Sequence, residues 1–470
     1  MKTGNPLNSE DRAGRRHDLI AAGAGVLLVT VAVLVGRAIQ HADGSLRVHW
    51  PPLLASWDPH VGAGTPAAVV VAAAVIAYGP VLAARLPWRG LLLTAWAASL
   101  AWTLSLALID GWDRGIARRL TTKHEYLHVI DRFDDIGAAL RSFNDHIVIG
   151  PPGNWPAHVA GHPPGATLTF VGLDRIGLGG GAWAAVWCLV LAASASVAVL
   201  ITLRALGEER LARRAAPFLV LAPVAVWAGV SADGYFAAVA AWSVAFLALA
   251  ATRRTGRWAL ALGSGLLFGL TCYLSYGLTL IAVLLLAALV LARTARPLGP
   301  FLLLCPFLLG ALVVPLAFTL AGFNWWDAYH LLVERYYQGA GGVRPYGYWV
   351  WANLACTTLA AGLATVAGLR RAMAAAPDAV RTLRPGHGPV PGTSEAAGQR
   401  LALLALAALL ALLVADLSGM SKAETERIWQ PFILWLLPTA ALLPDTTRRG
   451  WLTAQAVVAL LINHLLWTGW

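Results

Sequence analysis

Apolar runs of membrane-spanning length follow one another almost without a break along the 470 residues, and this succession constrains the fold more than any other feature. The runs are rich in Leu, Ala and Val and roughly 15 to 22 residues long, about what a helix needs to cross a hydrocarbon core. Backbone amides and carbonyls in lipid must find partners inside their own segment, so each run is predicted to be a helix. The period-two alternation of a membrane barrel is missing. The expectation is therefore an all-α, polytopic transmembrane protein in a single membrane domain, 1–470. Spans are expected near 19–37, 66–83, 90–109, 183–204, 216–230, 235–252, 257–272, 274–292, 299–321, 347–368, 401–417, 429–443 and 451–469, about thirteen in all. The apolar segment 165–178 is short and carries Asp174 and Arg175. It is expected to dip in from the outer face, and full crossing would make it a fourteenth span.

Charge fixes the expected orientation. With the N-terminus and its Arg12, Arg15 and Arg16 in the cytoplasm, most Lys and Arg fall on inner connections and most acids on outer ones. The first apolar run is too long for a typical cleaved signal core and reads as a retained span. The net charge of +11 follows from this clustering, so no nucleic-acid partner is expected. Cys188, Cys272, Cys305 and Cys356 all lie in apolar runs without zinc-binding spacing and read as packing residues. The Ala-, Pro- and Gly-rich stretch 372–399 is expected to be a disordered cytoplasmic connector. Outer loops are expected at 38–65, 110–164, 231–234, 322–346 and 418–428. The Ala/Gly/Arg-rich usage suggests a high-GC bacterium, and with the charge asymmetry the expectation is a multi-pass protein of a bacterial plasma membrane with its active face extracytoplasmic.

The long polar loop 110–164, with possible juxtamembrane helices, is where chemistry is expected first. Asp110 and Asp113 stand at the outer end of a span, where desolvation would lift a carboxylate towards the range of a general base. Solvated boundary acids account for the same residues. Glu125, in His124-Glu125-Tyr126, and Asp145-His146 are rival bases. His158 and His162 lie four apart before Pro163-Pro164. Prolines suit a first helical turn but leave the histidines unexplained, and no carboxylate has clear ligand spacing, so no metal site is expected.

Three other outer stretches are candidates for binding. Glu334-Arg335-Tyr336-Tyr337 and Arg344-Pro345-Tyr346 flank a Gly-rich turn. An interfacial aromatic belt explains some of these residues. Arg335 and Arg344 can also grip phosphate through paired hydrogen bonds, with Tyr336 and Tyr337 against a sugar or lipid. In Glu424-Thr425-Glu426-Arg427, Arg427 either snorkels to the surface or holds an anionic headgroup beside Glu424. Asp233 reads as a turn residue, yet a carboxylate enclosed between apolar helices is costly without a partner.

Together these features resemble the GT-C superfamily of polytopic glycosyltransferases, among them protein O-mannosyltransferases, lipid A aminoarabinose transferases and actinobacterial envelope transferases. The resemblance lies in the long external loop, its acid just after a span, and the His162-Pro163-Pro164 lead-in to the next apolar helix. Asp110 and Asp113 are three apart and so depart from the paired acids of several members. An extra hairpin precedes the long loop, and Gly165 follows the prolines.

The resemblance implies transfer of a hexosyl or pentosyl group from a polyprenyl-phosphate donor to an extracytoplasmic glycan, lipid or protein acceptor, with membrane lipid as a further partner. On that reading Asp110 is the base, Asp113 and Glu125 are next in line, and Arg335 and Arg427 grip the phosphate. His162, Asp233, Arg344 and Glu424 would complete the binding site. No cofactor is expected, and the Gly-rich motifs that cradle nucleotide phosphates are missing. A lipid-linked sugar transporter or flippase, or a non-catalytic envelope-assembly protein, is the rival reading.

Overall fold

A computed structural model describes residues 6–150, 152–293, 301–383 and 394–468. Among these residues, seven helices are long and apolar enough to cross a membrane. The number rises to nine if two bent pairs each count as one span. The all-α, multi-pass architecture is as expected, but the count of about thirteen is not reached. Two shorter apolar helices, Tyr276–Ala292 and Gln430–Leu442, account for part of the difference.

The missing spans have local causes. The expected span at 347–368 is two helices, Tyr346–Ala361 and Leu363–Arg381, meeting at a bend of 110°. Between them Gly362 has φ +79°, a conformation that disfavours a Cβ, and a Cβ there would also strike the Gln455 side chain. Gln455 satisfies both broken ends, donating to Ala361 O at 2.9 Å and accepting from Ala364 N at 3.2 Å. The run 216–230 is broken in the same sense. Its first part closes the helix Glu209–Val220, and after Pro223 only the short helix Ala225–Ala228 forms. The next helix, Ala232–Thr252, is capped by the Ser231 side chain, which accepts from Gly234 N.

The segment after Pro163 forms Pro164–Arg175, a helix of 12 residues. At about 18 Å it is shorter than a hydrocarbon core. The stretch expected to be a disordered connector is helical at both ends, within Leu363–Arg381 and Ser394–Leu417, while 384–393 lie outside the described residues.

Close approach between helices is made by small residues. Gly265 lies against the Phe307 carbonyl and Gly310 against that of Leu262, bringing Arg257–Leu274 and Leu304–Leu320 together. The connections assigned to each membrane face by charge meet one another. At one end Asp18 is held by Arg370 and by Arg371 Nη2 at 2.7 Å, and Arg15 donates to Thr446 at 2.7 Å. At the opposite end Arg344 donates to Leu46 O at 3.1 Å, and Glu426 accepts from Leu54 N at 3.2 Å. The segments assigned to the outer face by charge thus form a common rim, and the candidate site lies in it.

Candidate functional site

The loop 110–164 is not an open coil. Phe133 and Phe143 pack on Trp155, with ring centroids 5.6 and 5.2 Å away, and the Arg132 guanidinium lies 3.5 Å over the same indole. Behind this small core comes one short helix, Ala157–Gly161. The four-residue spacing sets His162 Nδ1 2.8 Å from His158 O and 3.0 Å from the Tyr126 hydroxyl. A carbonyl only accepts, so Nδ1 carries the ring proton and Nε2 is the basic nitrogen. Burial lowers the His162 pKa to about 4, so the ring is neutral near pH 7.

From His158 a chain of charged side chains crosses to two other outer segments. Its Nδ1 is 2.9 Å from Glu125 Oε1, and its Nε2 is 3.5 Å from Arg427 Nη2. Arg427 donates to Asp233 Oδ2 at 2.7 Å and to Glu424 Oε2 at 3.0 Å. Glu424 is 3.4 Å from Arg344 Nη1, which also donates to Lys422 O. Glu125, Asp233, Arg344 and Arg427 are nearly closed off from solvent, while His158 and Glu424 are partly exposed, and the pairing offsets the cost of desolvating them. Burial works against the charge on His158, but the Glu125 carboxylate outweighs it and raises the histidine's pKa. Burial likewise works against Glu125, and His158 with Arg427 pulls its pKa below the ordinary value.

Asp233 and His162 also line a cavity of about 600 Å³. The volume is in the range of small-molecule sites. Its aromatic wall includes Tyr276, Trp325 and Tyr329, the last two stacked at 10° with centroids 5.7 Å apart. Trp429 and Tyr336 add to this wall. Leu278 and Leu280, from the turn Tyr276–Leu280, and Val414, from the last turns of Ser394–Leu417, supply aliphatic surface. The cavity therefore joins a carboxylate and a neutral imidazole to lipid-like walls. Among the described residues no three His, Cys, Asp or Glu side chains are grouped to hold a metal ion.

The candidate residues divide sharply. Glu125, His162, Asp233, Arg344, Glu424 and Arg427 are brought into the charged chain or the cavity, and Tyr336 into the cavity wall. Asp110, expected to be the base, is elsewhere. It is buried between His60 Nε2 and Arg119 Nη2, each at 3.0 Å, and Arg119 also bonds Thr468 O. That carboxylate serves as counter-charge to a buried arginine and does not line the cavity. Asp113 is exposed and paired with Arg118 at 2.9 Å. Arg335, expected to grip phosphate, instead donates to Trp155 O at 3.2 Å and braces the loop core. Tyr337 is half exposed, with Lys422 Nζ 5.4 Å from its ring. Sequence reasoning named the two histidines but missed His158 as the bridge between Glu125 and Arg427. The signal was the His-x3-His spacing itself, since one turn presents both rings to the same side.

No protein-family model matches the chain, and no curated protein matches it. Five chains of solved structures do. Three similar structures are of the oligosaccharyltransferase of Archaeoglobus fulgidus. One, in complex with Zn and sulfate, is 16% identical with a TM-score of 0.43, over 78% of this chain and 51% of that one. A second, AglB with an inhibitory peptide and a dolichol-phosphate, is 13% identical with a TM-score of 0.45, over 76% and 50%. A third, tethered to an acceptor peptide containing the NVT sequon, is 13% identical with a TM-score of 0.42, over 79% and 53%. The chain spans about half the length of these proteins.

Proposed function

We propose that the chain is an integral-membrane glycosyltransferase that moves a sugar from a polyprenyl-phosphate donor to an extracytoplasmic acceptor. The observation that carries this reading is the cavity in which Asp233 and His162 face aromatic and aliphatic walls at the outer rim. An amphipathic donor fits such a lining, with the prenyl chain on the aliphatic surface and the sugar against the aromatic rings. A sugar phosphate already carries its leaving group, so the reaction needs a base for the acceptor hydroxyl and positive charge near the departing phosphate. Asp233 is the proposed base. It takes the hydroxyl proton as the acceptor oxygen bonds to the anomeric carbon, and the bond from that carbon to the phosphate oxygen breaks, leaving the lipid phosphate. Arg427 is the proposed counter-charge and Tyr336 a wall of the site. Asp110, Asp113 and Arg335 have no proposed part in the chemistry.

The test is transfer of labelled sugar from polyprenyl-phosphate hexose or pentose in membranes holding the protein. Transfer by the wild type and loss of at least about a hundredfold in Asp233→Asn supports the reading. Full transfer by Asp233→Asn retires the base, and no transfer with any donor retires the reaction. The two bent helix pairs, at 78° and 110°, favour a second reading, because broken helices also build transporter sites. Flux of a lipid-linked sugar in proteoliposomes without a new glycosidic product would select it.

A further inference from the structure

We infer that His158 is a positioning residue whose proton governs how Arg427 is shared and how firmly the cavity holds an anionic lipid phosphate. This rests on the reading of the cavity as a lipid-phosphate site. The geometry that points to it is the contact between His158 Nε2 and Arg427 Nη2 at 3.5 Å, with Glu125 2.9 Å from the other ring nitrogen. An arginine nitrogen only donates. When His158 is neutral, Nδ1 donates to Glu125 and the Nε2 lone pair accepts from Arg427. When His158 is protonated, Nε2 becomes a donor and faces another donor on a like charge. Arg427 keeps its bonds to Asp233 and Glu424, at 2.7 and 3.0 Å.

Charge gives the direction. Glu125, Asp233 and Glu424 supply three negative charges around this histidine and Arg427. Arg344 supplies one further positive charge at 3.4 Å from Glu424. With His158 protonated the group is balanced, and loss of that proton leaves one excess negative charge beside the cavity. The other groups facing His158 are the Tyr126 and His162 rings, with centroids 6.2 and 6.5 Å away, and His124, whose carbonyl accepts from the His158 amide. His162 is neutral through the same range, so it does not supply the missing charge. An anion in the cavity therefore binds best while His158 holds its proton. Affinity is full below the histidine's pKa and is lost as pH rises through it.

The probe is polyprenyl methyl phosphate, a diester whose charge is constant between about pH 5 and 9. Its binding to the full chain in nanodiscs is followed by tryptophan fluorescence. Wild-type affinity should fall about fivefold to tenfold as pH rises, with a midpoint above the ordinary histidine value of about 6.5. In a Glu426→Gln background, which removes the proton that Glu426 would lose near pH 7 beside Arg427, His158→Gln and Glu125→Gln should each flatten or displace that profile, while Asp113→Asn, an exposed acid paired with Arg118, should leave it unchanged. Binding that is tight and independent of pH in the wild type, or a slope that persists in both His158→Gln and Glu125→Gln, overturns the inference alone. No binding at any pH overturns the lipid-phosphate reading together with it. Because the wild-type profile is itself decisive, misfolding of a variant does not shelter the inference.

Discussion

Arg427 donates to Asp233 over 2.7 Å, joining two outer segments 194 residues apart in sequence. Both side chains are nearly closed to solvent, at 6% and 7%. Removing the guanidinium would strand Asp233 beside an apolar cavity and leave Glu424 to Arg344, 3.4 Å away. Arg427→Ala is therefore expected to lower stability by about 3–5 kcal/mol and to abolish donor binding. Arg427→Lys should restore part of the stability but little of the binding, because a single ammonium does not reproduce the fork shared between two acids. Thermal unfolding in detergent, paired with binding of the lipid-phosphate donor, separates these effects. A stable Arg427→Ala protein with unchanged donor affinity would remove the residue from the site.

The two acids at the end of the Trp88–Ala107 span should behave differently from each other, although they are three residues apart. Asp113 is exposed, and Asp113→Asn should transfer sugar and unfold like the wild type. Asp110 is the counter-charge of buried Arg119, and Asp110→Asn should cost about 2–4 kcal/mol in stability. Turnover per folded molecule should stay within about threefold of wild type, since the carboxylate does not reach the cavity. A hundredfold loss in folded Asp110→Asn would return it to the catalytic role.

What the sequence revealed and what it hid follow from range. Span-length apolar runs are local, so the all-α multi-pass class was legible. Breaks in helices were less visible. Gly362 looks like any glycine in an apolar run until Gln455, 93 positions later, is seen to satisfy the broken ends. The site failed in the same way. Asp110 and Asp233 are both acids at the ends of apolar helices, and nothing beside either shows that Arg119 claims one and Arg427 the other. Pairing across the fold decides which carboxylate faces a cavity, and one-dimensional spacing carries little of that.

The break at Gly362 can be tested directly. An alanine there would need an unfavourable φ of +79° and would strike the side chain that holds the two helix ends. Gly362→Ala should cost about 1–3 kcal/mol. Gln455→Leu should cost a similar amount by leaving the Ala361 carbonyl and Ala364 amide without their partner. The two changes should be less than additive, because each removes the same arrangement. Additive losses in a double-mutant cycle of thermal unfolding would show that the bend does not depend on Gln455.

Glu426 gives a pH dependence of stability with a definite sign. Burial raises its pKa to about 7, against a backbone hydrogen bond from Leu54 and the charge of Arg427, which act the other way. The unfolded chain releases this proton near pH 4.5, the ordinary value for the group. Between those values the folded state holds a proton that the unfolded state does not, so stability falls as pH rises from about 4.5 to about 7 and is level above it. Glu426→Gln mimics the protonated acid and keeps an acceptor for Leu54 N. It should remove this slope and, at pH 8, stabilise the protein by about 3 kcal/mol. Unfolding midpoints of the two proteins measured from pH 5 to pH 8 check the expectation. Parallel profiles, or a variant less stable than wild type at pH 8, would mean that Glu426 is charged in the folded state and has its own counter-charge at the outer rim.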